Sequence, residues 1–147
     1  MAKLKIIKYG DDTLRKVCRP VEQITPRIRT LLDDMLETMR AADGCGLAAP
    51  QVGVLRRVVV VETEPGHPIE LINPRIVAYA GEQHEQEGCL SLPGEWGTTV
   101  RPAHVTVRAL DRDGNEIEVT GSDLLARALC HEIDHLDGKL FIDRLEK

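Results

Sequence analysis

The stretch SDLLARALCHEIDHLDG, residues 122–138, predicts an amphipathic helix close to the end of the chain. Ser122 or Thr120 can cap its start, and Gly138 stands just past the position where it should stop. At about 100° per residue, one stripe of this helix carries Leu124, Ala128, His131 and His135. An apolar arc that includes Glu132 runs beside the stripe, and the opposite side carries Arg127, Asp134 and Asp137. The helix therefore buries a face that contains two imidazoles and a carboxylate.

His131 and His135 are four residues apart, and this spacing directs both ring nitrogens to one point. Glu132 lies next to the first histidine, so its carboxylate is held near the same point. The pattern predicts a metal site, but a catalytic metal generally has three protein ligands and an open position. The downstream chain offers little, because Phe141 stands where an extended version of the motif would have a third histidine.

The third ligand is therefore expected upstream, and the best candidate is the segment EQEGCLSLPGE, residues 85–95. Its Cys89 follows Gly88, which permits a close or unusual backbone approach beside a predicted strand end. One thiolate with two imidazoles suits a late divalent metal such as Zn²⁺ or Fe²⁺. In isolation, either a single histidine or Cys89 would more often have a buried structural role.

The remaining chain predicts one more helix and several strands. Residues 24–44, ITPRIRTLLDDMLETMRAADG, repeat apolar residues at helical spacing after the capping pair Thr25 and Pro26. Strands are predicted at 58–61, 70–72, 75–79 and around 88–92, and residues 105–120 predict a hairpin that turns at Asp113-Gly114. We therefore predict an α+β fold with antiparallel strands around the central C-terminal helix, an N-terminal helix, and a single domain over residues 1–147.

Composition narrows the functional class. The 147-residue chain is 42% hydrophobic and 29% charged, with a net charge of −5. These values are typical of a soluble globular domain and argue against a nucleic-acid surface. No segment has the length of a membrane span or a signal peptide, so we expect a cytoplasmic protein with no membrane partner. We also expect a monomer. Its four cysteines would then be reduced.

Three segments taken together resemble the signature motifs of the peptide deformylases: GCGLAAPQ (residues 44–51), EGCLS (87–91) and HEIDH (131–135). YGDDTLRKVCRPV (9–21) and the pair Arg101-Pro102 are also similar to that family. The resemblance implies removal of the formyl group from the N-terminal formylmethionine of nascent peptides, with release of formate. It implies Fe²⁺ in the cell, with Zn²⁺ or Ni²⁺ tolerated.

The resemblance also assigns roles to individual residues. Cys89, His131 and His135 would bind the metal, and Glu132 would be the general acid and base. The side-chain amide of Gln51 and the backbone N–H of Leu90 would stabilise the oxyanion. The candidate substrate contacts, which include a pocket for the methionine side chain, are Gly44, Cys45, Gly46, Glu87, Gly88, Leu124 and Ala128. A phosphate-binding role for the glycine-rich loop is disfavoured, because no Lys-Ser/Thr follows the glycines.

Three features depart from the family pattern. Cys45 replaces a branched aliphatic residue, and Cys130 replaces a glutamine that commonly precedes the third motif. We expect Cys130 to be structural and Cys45 to alter the pocket or its susceptibility to oxidation. The chain also ends soon after residue 144, which makes docking to the ribosome through a further C-terminal helix doubtful. The alternative functions are a zinc metallopeptidase and a non-catalytic or weakly active protein that binds peptide N-termini.

Overall fold

A computed structural model describes residues 3–147 of the chain. It contains two α-helices, seven strands and three short 3₁₀ turns. The helices are α1 (Pro26–Ala41) and α2 (Asp123–Leu136). The strands are β1 (Gly46–Ala48), β2 (Val58–Val61), β3 (Ile69–Ala80), β4 (Gln83–Cys89), β5 (Leu92–Arg101), β6 (His104–Leu110) and β7 (Glu116–Ser122). The 3₁₀ turns are Asp12–Arg15, Ala49–Val52 and Phe141–Arg144.

The strands form two antiparallel sheets. The larger has the order β1-β2-β3-β6-β7, and β4 pairs with β5 in a separate two-stranded sheet. Two helices packed on antiparallel sheets confirm the predicted α+β class. Among residues 3–147, no helix combines the length and the apolar character that crossing a bilayer requires.

Strand β2 explains how both helices are held. All four of its valines are fully buried, and successive side chains of a strand point to opposite faces. Val58 and Val60 pack in the cluster that contains Met35 of α1, whereas Val59 and Val61 pack in the cluster that contains α2. The larger sheet therefore lies between α1 and α2, and a continuous β-branched run is what a strand buried on both faces needs.

Both helices begin as the sequence predicts, whereas α1 ends at Ala41, three residues before Gly44. The hydroxyl of Thr25 accepts the N–H of Ile28 at the start of α1, and Pro26 occupies the first turn. Ser122 is the N-cap of α2, although its hydroxyl bonds to His104 rather than to the helix. Gly138 follows the end of α2 with φ of 73°, a conformation that glycine adopts without strain.

The hairpin formed by β4 and β5 differs from the prediction. The strand expected around residues 88–92 is wrong, because residues 90 and 91 form the turn between two longer strands. The two strands predicted at 70–72 and 75–79 are one strand, β3, with a bulge at Asn73, whose φ is 53°. The side chain of Asn73 stabilises the bulge, since it bonds both the N–H and the C=O of Val21.

Candidate active site

Three donor atoms meet where the end of β4 approaches the middle of α2. His131 and His135 lie one turn apart on α2, and their Nε2 atoms are 3.3 Å apart. Cys89, the last residue of β4, places its Sγ 3.4 Å from Nε2 of His135. The ligand atoms of all three residues lie within 4.8 Å of one another. The structure thus brings together the three residues that the sequence proposed as metal ligands.

The spacing of these donors fits a tetrahedral metal ion. An ion with bonds of about 2.05 Å to nitrogen and about 2.3 Å to sulfur holds its nitrogens about 3.3 Å apart and its nitrogen and sulfur about 3.6 Å apart. The corresponding distances here are 3.3 Å and 3.4 Å. Two imidazole nitrogens that face each other at this distance repel unless a proton or a cation lies between them. The donor set therefore fits a divalent metal.

A buried carboxylate fixes the tautomer of His131. Oε1 of Glu87 lies 2.7 Å from Nδ1 of His131, so Nδ1–H donates to the carboxylate and Nε2 presents its lone pair to the metal position. Burial opposes the charged form of Glu87, but hydrogen bonds from His131 and Arg101 outweigh it and lower the pKa of Glu87 to about 2. Glu87 is therefore ionised at neutral pH.

Glu87 belongs to a network that joins the β4–β5 hairpin to α2. The guanidinium of Arg101 donates two hydrogen bonds of 3.0 Å to the carboxylate, and the hydroxyl of Thr99 donates a further short one. Arg101 is only 4% exposed, and its other nitrogen bonds Asp134 of α2 at 2.6 Å. The hairpin and the helix that supply the metal ligands are thus connected by buried ionic hydrogen bonds.

Glu132 is buried beside the metal position and has an unused acceptor. Its Oε2 lies 4.0 Å from Nε2 of His131, and its Oε1 has no hydrogen-bond partner among residues 3–147. Burial raises the pKa of Glu132 to about 7. A carboxyl group that titrates near neutral pH can both accept and return a proton, which is what a general acid and base requires.

Gly46 makes room for this carboxylate. A Cβ atom at position 46 would lie 2.5 Å from Oε2 of Glu132, far closer than a van der Waals contact allows. The glycine therefore allows the first motif to pack directly against the acid of the third motif. This contact gives a physical reason for a small residue at that point of the glycine-rich segment.

Gln51 is held in one orientation by contacts at both ends of its amide. Its Oε1 accepts the N–H of Ala48 at 2.9 Å, and its Nε2 donates to the hydroxyl of Ser91 at 3.0 Å. The same Nε2 lies 3.6 Å from Sγ of Cys89. Gln51 is 1% exposed, so a neutral N–H donor is fixed beside the metal position. Leu90 lies in the adjacent turn and also lines the cavity.

The N-terminal segment links the first two motifs through its backbone. The N–H of Ile7 donates to the carbonyl of Gln51 at 2.7 Å, and the N–H of Tyr9 donates to the carbonyl of Ser91 at 2.7 Å. Between them, Nζ of Lys8 lies 3.3 Å from the carbonyl oxygen of Leu90. Residues 7–9 thus tie together the two segments that carry the predicted oxyanion donors.

An open cavity of about 550 Å³ leads to this site. It is lined by all seven residues predicted to contact the substrate: Gly44, Cys45, Gly46, Glu87, Gly88, Leu124 and Ala128. Their role in substrate binding stays a prediction. The carboxylate of Glu87 already bonds His131 and Arg101, so it is engaged by the protein.

Sequence reasoning missed the roles of several residues in and near this site. Ser91 and Trp96 lie outside the helices, so helical periodicity could not identify them. Thr99 and Arg101 reach Glu87 only through the pairing of β4 with β5. The helical wheel also set Arg127 opposite the ligand stripe. That separation is wrong, since Arg127 lines the cavity and donates to Oε1 of Gln83 at 2.9 Å.

The two unusual cysteines lie in different environments. Cys130 is 4% exposed and packs in the core around α2, where burial raises the pKa of its thiol to about 11. Cys45 instead lines the cavity. The expected structural role of Cys130 and the expected effect of Cys45 on the pocket agree with these positions and stay predictions.

Comparison with known proteins gives one consistent result. The family model described as polypeptide deformylase matches residues 3–147. A peptide deformylase of Acetivibrio thermocellus is 60% identical over 145 residues, which cover 99% of this chain and 85% of the relative. A peptide deformylase of Clostridium botulinum is 54% identical over 147 residues, which cover 100% of this chain and 99% of the relative.

Solved structures show the same similarity in three dimensions. The crystal structure of a peptide deformylase from Legionella pneumophila matches with a TM-score of 0.95 and 48% identity, covering 98% of this chain and 86% of that one. The Synechococcus elongatus peptide deformylase in complex with actinonin matches with a TM-score of 0.94 and 41% identity, covering 98% of this chain and 79% of that one.

Proposed function

The chain belongs to the peptide deformylase family, and on this premise we propose that it removes the formyl group from the N-terminal formylmethionine of nascent peptides and releases formate. The observation that carries the proposal is the convergence of Cys89, His131 and His135 within 4.8 Å, with a protonatable Glu132 beside them. A site of this composition is suited to amide hydrolysis.

We propose that one divalent metal ion is held by the thiolate of Cys89 and the Nε2 atoms of His131 and His135. The family resemblance and the donor set support Fe²⁺ in the cell, with Zn²⁺ or Ni²⁺ as functional substitutes. When bound, the ion would supply positive charge that lowers the pKa of water and polarises the formyl carbonyl. Glu87 supports this arrangement, because its hydrogen bond holds His131 in the ligating tautomer.

Two neutral donors would stabilise the charge that develops on the formyl oxygen. The Nε2 amide of Gln51 is fixed within 3.6 Å of the cysteine sulfur, and the backbone N–H of Leu90 belongs to the residue that follows this cysteine. As water adds to the formyl carbon, the carbonyl oxygen becomes an anion that these two N–H groups bind. Because Ser91 and Ala48 already orient Gln51, little reorganisation is needed during the reaction.

Glu132 would carry the proton in both halves of the reaction. Its carboxylate takes a proton from the attacking water at Oε2, and the same atom then delivers the proton to the peptide nitrogen as the C–N bond breaks. The products are formate and a peptide with a free α-amino group. A pKa of about 7 for Glu132 favours both transfers near neutral pH.

We further propose that residues 1–147 form one catalytic domain that acts as a monomer in the cytoplasm, where nascent peptides are made. The metal ligands, both oxyanion donors and the acid all come from one chain, which supports a complete site without a partner subunit.

The decisive experiment is anaerobic purification followed by metal analysis and a formate-release assay on formyl-Met-Ala-Ser. We expect one equivalent of metal and steady release of formate, and a Glu132→Ala variant should retain metal but lose about 10²- to 10⁴-fold in kcat. Cleavage of unformylated Met-Ala-Ser would instead indicate a zinc metallopeptidase. A metal-loaded protein without turnover would indicate a protein that only binds peptide N-termini.

A further inference from the structure

Trp96 is the only tryptophan of the chain, and it is 70% exposed although it lines the cavity that leads to the metal position. We propose that its indole is a platform for the side chains that follow the formylmethionine, and that the enzyme therefore prefers peptides with a large apolar or aromatic residue there. The proposal deepens the proposed function and rests on it.

The indole is held in place by Gly88. A Cβ atom at position 88 would lie 2.7 to 2.9 Å from three atoms of the six-membered ring of Trp96. The ring therefore packs directly on the glycine backbone, and any larger residue at position 88 would displace it. One side of the indole is fixed by this contact, and its high exposure leaves the remaining surface free for a ligand.

The position of this ring relative to the metal ligands indicates which part of the substrate it would meet. Gly88 directly precedes Cys89, and adjacent Cα atoms are about 3.8 Å apart. An extended peptide advances about 3.3 Å per residue. The indole over Gly88 is thus within reach of the first one or two residues beyond the methionine whose formyl group lies at the metal.

Other residues of the cavity offer apolar surface to the same ligand. Leu90, Pro93 and Leu124 line the same cavity as Trp96. Leu124 is 43% exposed, so it offers further apolar surface to a ligand. An exposed aromatic ring with aliphatic neighbours around one cavity is typical of a surface that binds apolar side chains. An indole also gains more from stacking on an aromatic side chain than from contact with a methyl group.

Steady-state kinetics with three substrates test the proposal: formyl-Met-Phe-Ser, formyl-Met-Ala-Phe and formyl-Met-Ala-Ser. For the wild type, we expect kcat/KM to be about three- to tenfold higher for at least one of the phenylalanine peptides than for the alanine-serine peptide, mainly through a lower KM. Trp96→Ala should bring this ratio close to one by raising KM for the phenylalanine peptides, and Trp96→Phe should keep most of the preference.

Tyr79→Ala provides the matched control, because Tyr79 is equally exposed at 74% but lies on β3 and does not line the cavity. It should leave every ratio unchanged. A preference that survives Trp96→Ala, or a loss that is equal for all three peptides, would overturn the proposal.

A binding measurement separates this proposal from the proposed function. Tryptophan emission of the wild type reports on Trp96 alone, so titration with the product peptide Met-Phe-Ser should shift the emission at lower concentration than Met-Ala-Ser. If no formylated peptide releases formate, the proposed function fails while this titration still decides the role of Trp96. Identical titrations with both peptides, or no change of emission, would refute the platform.

Discussion

Replacing Glu87 by glutamine should weaken both the fold and the metal site, since the change removes one negative charge from a buried network. In the wild type, the carboxylate accepts hydrogen bonds from His131, Arg101 and Thr99, and it is 6% exposed. The isosteric amide keeps the shape of the side chain, and the negative partner that remains to Arg101 among residues 3–147 is Asp134. The effect of this substitution is therefore electrostatic rather than steric.

The magnitude follows from the pKa of Glu87, which the network lowers from an ordinary value of 4.5 to about 2. A lowering of this size corresponds to about 3 kcal/mol of stability at neutral pH. That agrees with the 3–5 kcal/mol generally lost when one partner of a buried ion pair is removed. The Nδ1–H group of His131 also loses its ionised acceptor, and this loss should weaken metal affinity about 10- to 100-fold.

Urea denaturation of the metal-free proteins at pH 7 measures the loss of folding stability, and competition with a chelator measures the loss of metal affinity. Because the pKa of Glu87 is lower in the folded state, the stabilisation is complete above pH 4.5 and disappears as the pH falls towards 2. Glu118→Gln is the control, since its ion pair with Arg108 is exposed to solvent and should contribute little to stability. Equal losses for the two variants, with unchanged metal affinity, would refute this account of the network.

Three further substitutions probe the catalytic residues and the pocket. Gly46→Ala places a methyl group against the carboxylate of Glu132, so kcat should fall at least tenfold while metal content is kept. Gly97→Ala is the control, because its methyl group would meet the flexible end of a leucine side chain. Equal activities of the two variants would contradict the prediction. Gln51→Ala should lower kcat about 10²- to 10³-fold with little change in KM, and a pure KM effect would argue against oxyanion stabilisation. Ala128→Leu should raise KM for formyl-Met peptides more than it lowers metal content, and an unchanged KM would exclude Ala128 from the methionine pocket.

The parts of the structure that sequence alone predicts are those with a strong hydrophobic period. Helix α2 combines such a period with recognisable ends at Ser122 and Gly138, and the valine run of β2 can hardly be anything but a buried strand. Cys89 follows from the shortage of ligands after His135. The helix and the strand follow from local patterns, and the third ligand follows from the few ligating residues that remain. One sequence is therefore sufficient to predict all three.

The β4–β5 hairpin lacks such a signal because its buried face is polar. Glu87, Thr99 and Arg101 alternate with exposed residues, but they are buried by pairing with one another and not by apolar packing. Which side chains pair depends on a register that no local pattern encodes. The anchoring of Gln51 by Ser91 and the position of Arg127 at the cavity depend on the same three-dimensional arrangement.

The long chain separation between Cys89 and His135 gives the metal a structural consequence. The two residues are 46 positions apart, yet their donor atoms are 3.4 Å from each other. The three donors meet only when the chain is folded, so a bound ion would add its binding free energy to the stability of the fold. Metal loading should therefore raise the midpoint of thermal unfolding for the whole protein, so resistance to heat would report on occupancy of the site even when no substrate is present.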